Sequence, residues 1–201
     1  MKILNLYAGI GGNRKLWGNE HEITAVEYKQ EIADIYHDFF PNDKMIVADA
    51  HEYLLKHFKE YNFIWSSPPC PSHSDMRRMG VSIGQVEPIY PDMKLYEEII
   101  LLQHFCKVKF CVENVIGYYK PLIPPQNINK HYFWANFYIH PLPIESRNHR
   151  KDVKYLQESK QFNLDKYPNS VNKRLLLRNC VEPATGLFIF QEAFRNYKTL
   201  F

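Results

Sequence analysis

The chain has 201 residues, of which 45% are apolar and 23% charged, and a formal net charge of +3. That balance excludes a disordered chain, and the length suits one domain whose core is stable without staples. The longest apolar stretches, such as Ile99-Ile100-Leu101-Leu102, fall far short of the roughly 20 residues a membrane helix needs, so no membrane partner is expected. Met1-Lys2 runs straight into Ile3-Leu4-Asn5-Leu6-Tyr7 without the parts of a secretory signal, which points to the cytoplasm. Cys70, Cys106, Cys111 and Cys180 are irregularly spaced with no C-x-x-C pair, arguing against a zinc cluster and a disulfide framework; no metal is expected.

Between Arg147 and Arg178, nine Lys/Arg stand against three acids, a local charge of +6 that leaves −3 for the rest of the chain. This asymmetry fits a basic face for a polyanion on a neutral body, and it equally fits a solvated surface. The aromatic content of 15% fits either a stiff core or a stacking surface for bases.

In chain order, residues 2–7 read as a buried strand running into the turn Ala8-Gly9-Ile10-Gly11-Gly12 and then a helix. Residues 23–27 read as a second strand and 30–39 as a helix stopped by Pro41. A short strand at 45–48, a helix at 51–61 and a strand at 62–67 follow, the last ended by Pro68-Pro69. Residues 76–92, with Gly80, Gly84, Pro88 and Pro91, read as a long functional loop. Asp92 is placed to N-cap a helix at 93–106 with Leu95, Ile99, Leu102 and Phe105 on one face. Strands at 109–112 and 132–139 come next, and 173–181 and 187–194 read as helical or mixed. Strands alternating with helices predict a doubly wound, mostly parallel α/β sheet of order 3-2-1-4-5, with ligands outside the carboxyl ends of the strands.

The strand ends carry the chemistry. The glycine turn lets backbone N–H groups approach a ligand, but Arg14 at the last position of G-x-G-x-x-G disfavours a dinucleotide. Glu27 follows the second strand near the spacing at which an acid hydrogen-bonds ribose hydroxyls, and Asp49 follows the third, where it also reads as a helix N-cap; two such acids beside a glycine turn point to an adenosyl-type site. Cys70 lies between prolines after the fourth strand, the setting of a nucleophile, whereas Cys106 and Cys111 read as inert core thiols. Glu113, at the end of an apolar strand, is a partly buried carboxyl able to donate a proton. A thiolate, a carboxylic acid and an adenosyl site in one crevice suit covalent catalysis on an electrophilic ring.

These segments resemble the DNA cytosine-5 methyltransferases. Asn5-Leu6-Tyr7-Ala8-Gly9-Ile10-Gly11-Gly12 is similar to the family's D-L-F-x-G-x-G-G, Ser67-Pro68-Pro69-Cys70-Pro71 to its P-C-Q loop, and Arg178-Asn179-Cys180-Val181-Glu182-Pro183 to its G-N-S-V-x-P; Glu113-Asn114-Val115 matches E-N-V without change. The resemblance covers roughly residues 1–135 and 175–194, in family order. It implies a Rossmann-like fold dependent on S-adenosylmethionine, with Cys70, Glu113 and Asn114 as the catalytic set. Cys70 would add to C6 of a flipped cytosine and Glu113 protonate N3, while Asn114 orients Glu113 or the loop. It further implies that Tyr7, Ala8, Gly9, Gly11, Gly12, Glu27, Asp49, Pro69, Asn179 and Val181 hold the cofactor.

Departures from the family matter as much. Pro71 stands for the usual Gln and Arg178 for Gly, the Q-x-R-x-R motif has only Ser146-Arg147-Asn148-His149-Arg150 as a candidate, and no ninth motif is evident. A catalytic body at 1–136 and 175–201 then leaves a small basic insertion at 137–174 for target recognition. Double-stranded DNA is expected at Ser72, His73, Arg77, Arg78, Gln85, Arg147, Arg150, Lys173 and Arg174, and the protein is expected to be a monomer. So short a form resembles methyltransferases carried by phages or prophages, implying protection of DNA from restriction. Cytosine in transfer RNA as substrate, a catalytically weak binding module that regulates a partner, and a methyltransferase of unrelated substrate remain as alternatives.

Overall fold

In a computed structural model, residues 1–129, 131–142 and 152–195 are described. Seven strands form one sheet: β1 (Lys2–Leu6), β2 (Glu22–Glu27), β3 (Lys44–Val47), β4 (Phe63–Ser66), β5 (Lys109–Val115), β6 (Gln126–Ile128) and β7 (His131–Ala135). Their order is β3-β2-β1-β4-β5-β7-β6. The first five are parallel, β7 runs antiparallel to β5, and β6 antiparallel to β7. In the central strands nearly every residue is buried, as a sheet covered on both faces demands. The register aligns Leu6 with Val26 and Ser66, and Ser66 with Val112, so the carboxyl ends form one edge.

One face is covered by α2 (Ala50–His57) and α4 (Lys94–Phe105), whose Leu54, Leu95, Ile99 and Leu102 pack on Leu4, Leu6, Ile64, Phe110 and Val112. On the other face α7 (Pro183–Ala193) sets Ile189 and Phe190 against Ile3, Phe63 and Trp65. Beside it, α1 (Gln30–Phe39), α5 (Val153–Lys160) and α6 (Lys173–Asn179) share a cluster that joins Ile35 and Tyr36 to Leu156 and Leu177. Part of the basic stretch is thus bound into the core of the sheet-covering layer.

No helix follows β1, contrary to expectation. Residues 12–16 are turns, and buried Arg14 forms an ion pair with Asp43 (2.8 Å), which Tyr36 also reaches (2.8 Å). The space beside β1 is taken by α7 from the far end of the chain. Gly186 makes this possible, because a Cβ there would lie 2.5 Å from Asn13 O, and Trp17 Nε1 donates to Gly186 O at 3.1 Å.

Other differences are local. The expected loop at 76–92 contains a helix, α3 (Asp75–Ser82), that its glycines did not prevent. Met93, not Asp92, N-caps α4, although Asp92 accepts from Lys94 N (3.1 Å), and Phe105 is 65% exposed and not on the buried face. The expected helix at 51–61 ends at His57, followed by a 3-10 turn at Phe58–Glu60, and the expected strand at 132–139 stops at Ala135. Pro183 opens α7 four residues before the expected 187, in the first-turn position where its missing N–H costs nothing. β6 and α5 were not anticipated: β6 is only three residues long, and α5 lies in the stretch read by its charge.

Candidate active site

A cleft of about 570 Å3 opens along the carboxyl edge of the sheet. Its walls include Tyr7, Ala8, Gly9, Gly12, Glu27, Asp49, Pro69, Cys70, Glu113, Asn114, Asn179 and Val181. The strand ends expected to meet do so.

At the end of β1, Gly9 (φ +53°) faces open space, with nothing within 4 Å of the position a Cβ would take, so ligand atoms can come against the backbone. Glu27 is held by Gly9 N and Lys29 N, each donating at 3.1 Å to a different carboxylate oxygen. Asp49 both lines the cleft and N-caps α2, accepting from Glu52 N at 3.1 Å; that bond leads the causes that lower its pKa. Gly11 is the exception. It faces away from the cleft, and a Cβ there would lie 2.3 Å from the Phe40 ring.

Cys70 is half-buried at the start of a turn in which its carbonyl accepts from His73 N and Ser74 N, both at 3.0 Å. Burial, then the charge of Glu113, pushes its thiol up from the ordinary 9.0. Glu113 is buried within β5, two residues further inside the sheet than expected, because β7 pairs with it through Phe133. Burial raises its pKa above the ordinary 4.5; His131, whose Nε2 lies 3.7 Å from Glu113 Oε1, and Ser67 oppose the rise. Asn114 donates to Pro68 O at 3.0 Å and accepts from Val115 N at 2.9 Å, so it braces the loop that carries Cys70.

The expected DNA residues are less uniform. Ser72 and His73 are 6% and 2% exposed and turned inward: Ser72 Oγ accepts from Asp92 N (3.1 Å), and His73 Nδ1 meets the Tyr119 hydroxyl (2.6 Å). Arg77 donates to Glu87 O (2.9 Å), and Arg78 lies over the Tyr118 ring, so both brace the α3 region. Gln85 and Arg174 are exposed and Lys173 half-exposed, all outside the cleft lining; Arg147 and Arg150 lie outside the described residues. Sequence reasoning missed Lys29, Lys94, His131 and Arg178 as cleft residues. Arg178, which rests on Met76 Sδ at 3.3 Å, had a signal in its departure from the last motif. His131 had none, since an antiparallel seventh strand brings it in.

A family model, C-5 cytosine-specific DNA methylase, matches residues 1–117. No curated protein matches. Among solved structures, DNMT2 of Spodoptera frugiperda is 27% identical, with 58% of this chain and 36% of that one aligned and a TM-score of 0.39. A prophage-encoded protein of E. coli assigned as a DNA modification methyltransferase is 19% identical, over 60% and 33% of the two chains, with a TM-score of 0.39. A SAM-dependent methyltransferase from Agrobacterium tumefaciens is 14% identical, over 59% and 40%, with a TM-score of 0.42. This chain therefore spans about a third of the length of the first two.

Proposed function

The chain belongs to the C-5 cytosine-specific DNA methylases, and on that premise we propose that it methylates C5 of cytosine in DNA through a covalent Cys70 adduct. The observation that carries this reading is the meeting of Cys70 and Glu113 in one cleft with the Gly9 turn, close enough that the Glu113 charge raises the Cys70 thiol.

The cleft fits S-adenosylmethionine: the open face of Gly9 admits ligand atoms, Glu27 and Asp49 offer acceptors for ribose hydroxyls and an adenine amine, and about 570 Å3 suits a nucleoside-sized ligand. Tyr7, Ala8, Gly12, Pro69, Asn179 and Val181 would complete its walls. When bound, this cofactor supplies an electrophilic methyl group. The chain's own residues prepare the acceptor. Glu113, whose protonated form burial favours, gives its proton to N3 as the Cys70 thiolate forms a bond to C6. The C5=C6 pair shifts to C4=C5 as the C4=N3 pair takes up the proton at N3, and the enamine so formed makes C5 nucleophilic. After methylation a base removes the C5 proton, the Sγ–C6 bond breaks to return the thiolate, and N3 gives its proton back to Glu113. The target atom is out of reach in a duplex, so the cytosine must be flipped out. Asn114, by holding the Pro68 carbonyl, keeps Cys70 aimed at C6.

DNA would be engaged by Lys173, Arg174 and Gln85 on exposed surface, by Arg178 at the cleft, and by Arg147 and Arg150. The basic stretch would serve recognition mainly through phosphate contacts, which position without specifying. Protection of phage DNA from restriction is the biological role we propose for this activity.

The test is incubation with tritiated S-adenosylmethionine and either duplex DNA or transfer RNA, followed by bisulfite sequencing of the labelled product. Label on DNA with protected cytosines in a fixed context supports the proposal. Label on RNA alone, or no label, overturns it.

A further inference from the structure

Glu98, on α4, is fully buried, lines no part of the cleft, and has no part in the chemistry described above. A carboxylate in that position is costly unless donors surround it. Glu98 has three, from the turn after β1, from the end of β4 and from the first turn of α2. The Tyr7 hydroxyl donates to Oε1 at 2.6 Å, the Ser66 hydroxyl to Oε2 at 2.7 Å, and His51 Nδ1 to Oε1 at 3.1 Å. Tyr7 is the first residue after β1 and leads into the Gly9 turn. Ser66 closes β4, four residues before Cys70. His51 follows Asp49 and Ala50, both in the cleft wall.

A second observation points the same way. Tyr7 holds φ at +54°, a left-handed conformation that a bulky residue keeps only where its surroundings over-determine it. The Glu98 bond is the side-chain contact that fixes its hydroxyl. The carboxylate thus ties the turn that approaches the cofactor to the strand that delivers the nucleophile, beneath a reaction in which small misplacements of the reacting atoms are expensive.

We infer that Glu98 is a positioning residue, whose carboxylate fixes the cofactor turn and the nucleophile loop relative to each other from beneath the cleft. The inference rests on the methyltransferase reading for its ligand, S-adenosylmethionine, but not on the identity of the methyl acceptor.

The experiment is a double-mutant cycle on the full chain without nucleic acid, with S-adenosylmethionine affinity read by calorimetry for wild type, Tyr7→Phe, Ser66→Ala and the pair, and the same set in a Glu98→Gln background. Ser66 lies outside the cleft, so a purely local role predicts wild-type affinity for Ser66→Ala. We expect each single variant to weaken binding about fivefold, the size of one lost hydrogen bond. The pair should lose no more than about tenfold, against the roughly 25-fold of independent sites. In Glu98→Gln both substitutions should change affinity less than about twofold, since the shared partner has already lost its charge. If Glu98→Gln does not fold by circular dichroism, the cycle in the wild-type background decides alone. Wild-type affinity for Ser66→Ala, or full additivity, overturns the inference. A wild type that binds the cofactor yet methylates neither DNA nor RNA defeats the proposed function while the cycle still judges Glu98; a wild type that does not bind it defeats both.

Discussion

One wall of the cleft is made of strand ends: Tyr7, Glu27, Cys70, Glu113 and Asn114 stand in or just beyond parallel strands whose register is fixed by burial on both faces. The facing wall, Leu176 to Val181, comes from the end of α6 and is held by a few polar ties, chiefly Lys160 Nζ to Cys180 O and to Glu182 Oε1, both 2.7 Å. That second wall rests on a helical layer, with α5 and α6 packed on α1 and the Arg14–Asp43 pair buried beneath. The difference separates two jobs. The proposed catalytic groups, with the turn proposed to hold the cofactor, sit where the sheet holds them, whereas the second wall sits on helical elements outside the sheet.

The largest effect expected from breaking the first wall is that of Cys70→Ala, which should reduce methyl transfer by at least about 10⁴-fold, as loss of a nucleophile does elsewhere. Its S-adenosylmethionine affinity, measured by calorimetry, should stay within a few-fold of wild type. Glu113→Gln should lower single-turnover rates by roughly 10²–10⁴-fold, the span of general acid catalysis.

The same pair fixes a pH dependence. In the proposed mechanism transfer needs Glu113 protonated and Cys70 ionised, and burial raises both groups. The product of the two fractions rises with pH up to the carboxyl's pKa, stays level between the two, and falls beyond the thiol's. The acidic limb should therefore lie above 4.5 and the alkaline limb above 9.0, the ordinary values of the two groups. Glu113→Gln removes the break at the carboxyl's pKa and the alkaline fall, so the rate rises with the thiolate fraction up to the thiol's pKa and then stays level; by deleting a neighbouring negative charge it also brings the Cys70 thiol down. Alkylation of Cys70 by iodoacetamide across pH, followed by mass spectrometry, should show a lower midpoint in the variant; an unchanged midpoint would mean that the two side chains do not interact.

The support of the second wall is tested through stability. Asp43→Ala strands the buried Arg14 guanidinium and should cost about 3–5 kcal/mol in urea unfolding, the range for breaking one partner of a buried pair. A loss below about 1 kcal/mol, the scale of exposed pairs, would show that water reaches the site. The smallest effect is that of Lys173→Ala with Arg174→Ala, which should weaken DNA binding uniformly across sequences and reduce the salt slope by about one for each phosphate no longer neutralised. A change of target preference instead would assign base reading to α6.

How much of this was legible follows the same division. The first wall could be read because each strand is a short apolar run and its chemistry follows at once: Gly9, Glu27, Cys70 and Glu113 were all placed at the right edge, and the order of the first five strands follows from the alternation of strands with helices. What failed there failed by a residue or two, as with Glu113, since antiparallel pairing by β7 extends β5 in a way no local pattern announces. The second side was harder. The helix expected after β1 is replaced by α7, an exchange set by the fit of Gly186 against Asn13 across the length of the chain. Arg77 and Arg78 read as phosphate contacts because charge is visible in a sequence while their partners, a backbone carbonyl and a tyrosine ring, are not. Glu98 escaped notice for a related reason: an acid on an apolar helix reads as solvent-facing until Tyr7, Ser66 and His51 are seen around it.

The central claim is the covalent bond between Cys70 and C6 of the target base. A duplex carrying 5-fluorocytosine at a methylated position cannot release the enzyme once the methyl group is on, because no proton is left at C5 for a base to remove. Incubated with that duplex and S-adenosylmethionine, the protein should form a complex stable to denaturant, with the added mass on the peptide that holds Cys70 and no complex from Cys70→Ala. Methylated product without an adduct, or an adduct on Cys180, would contradict the account.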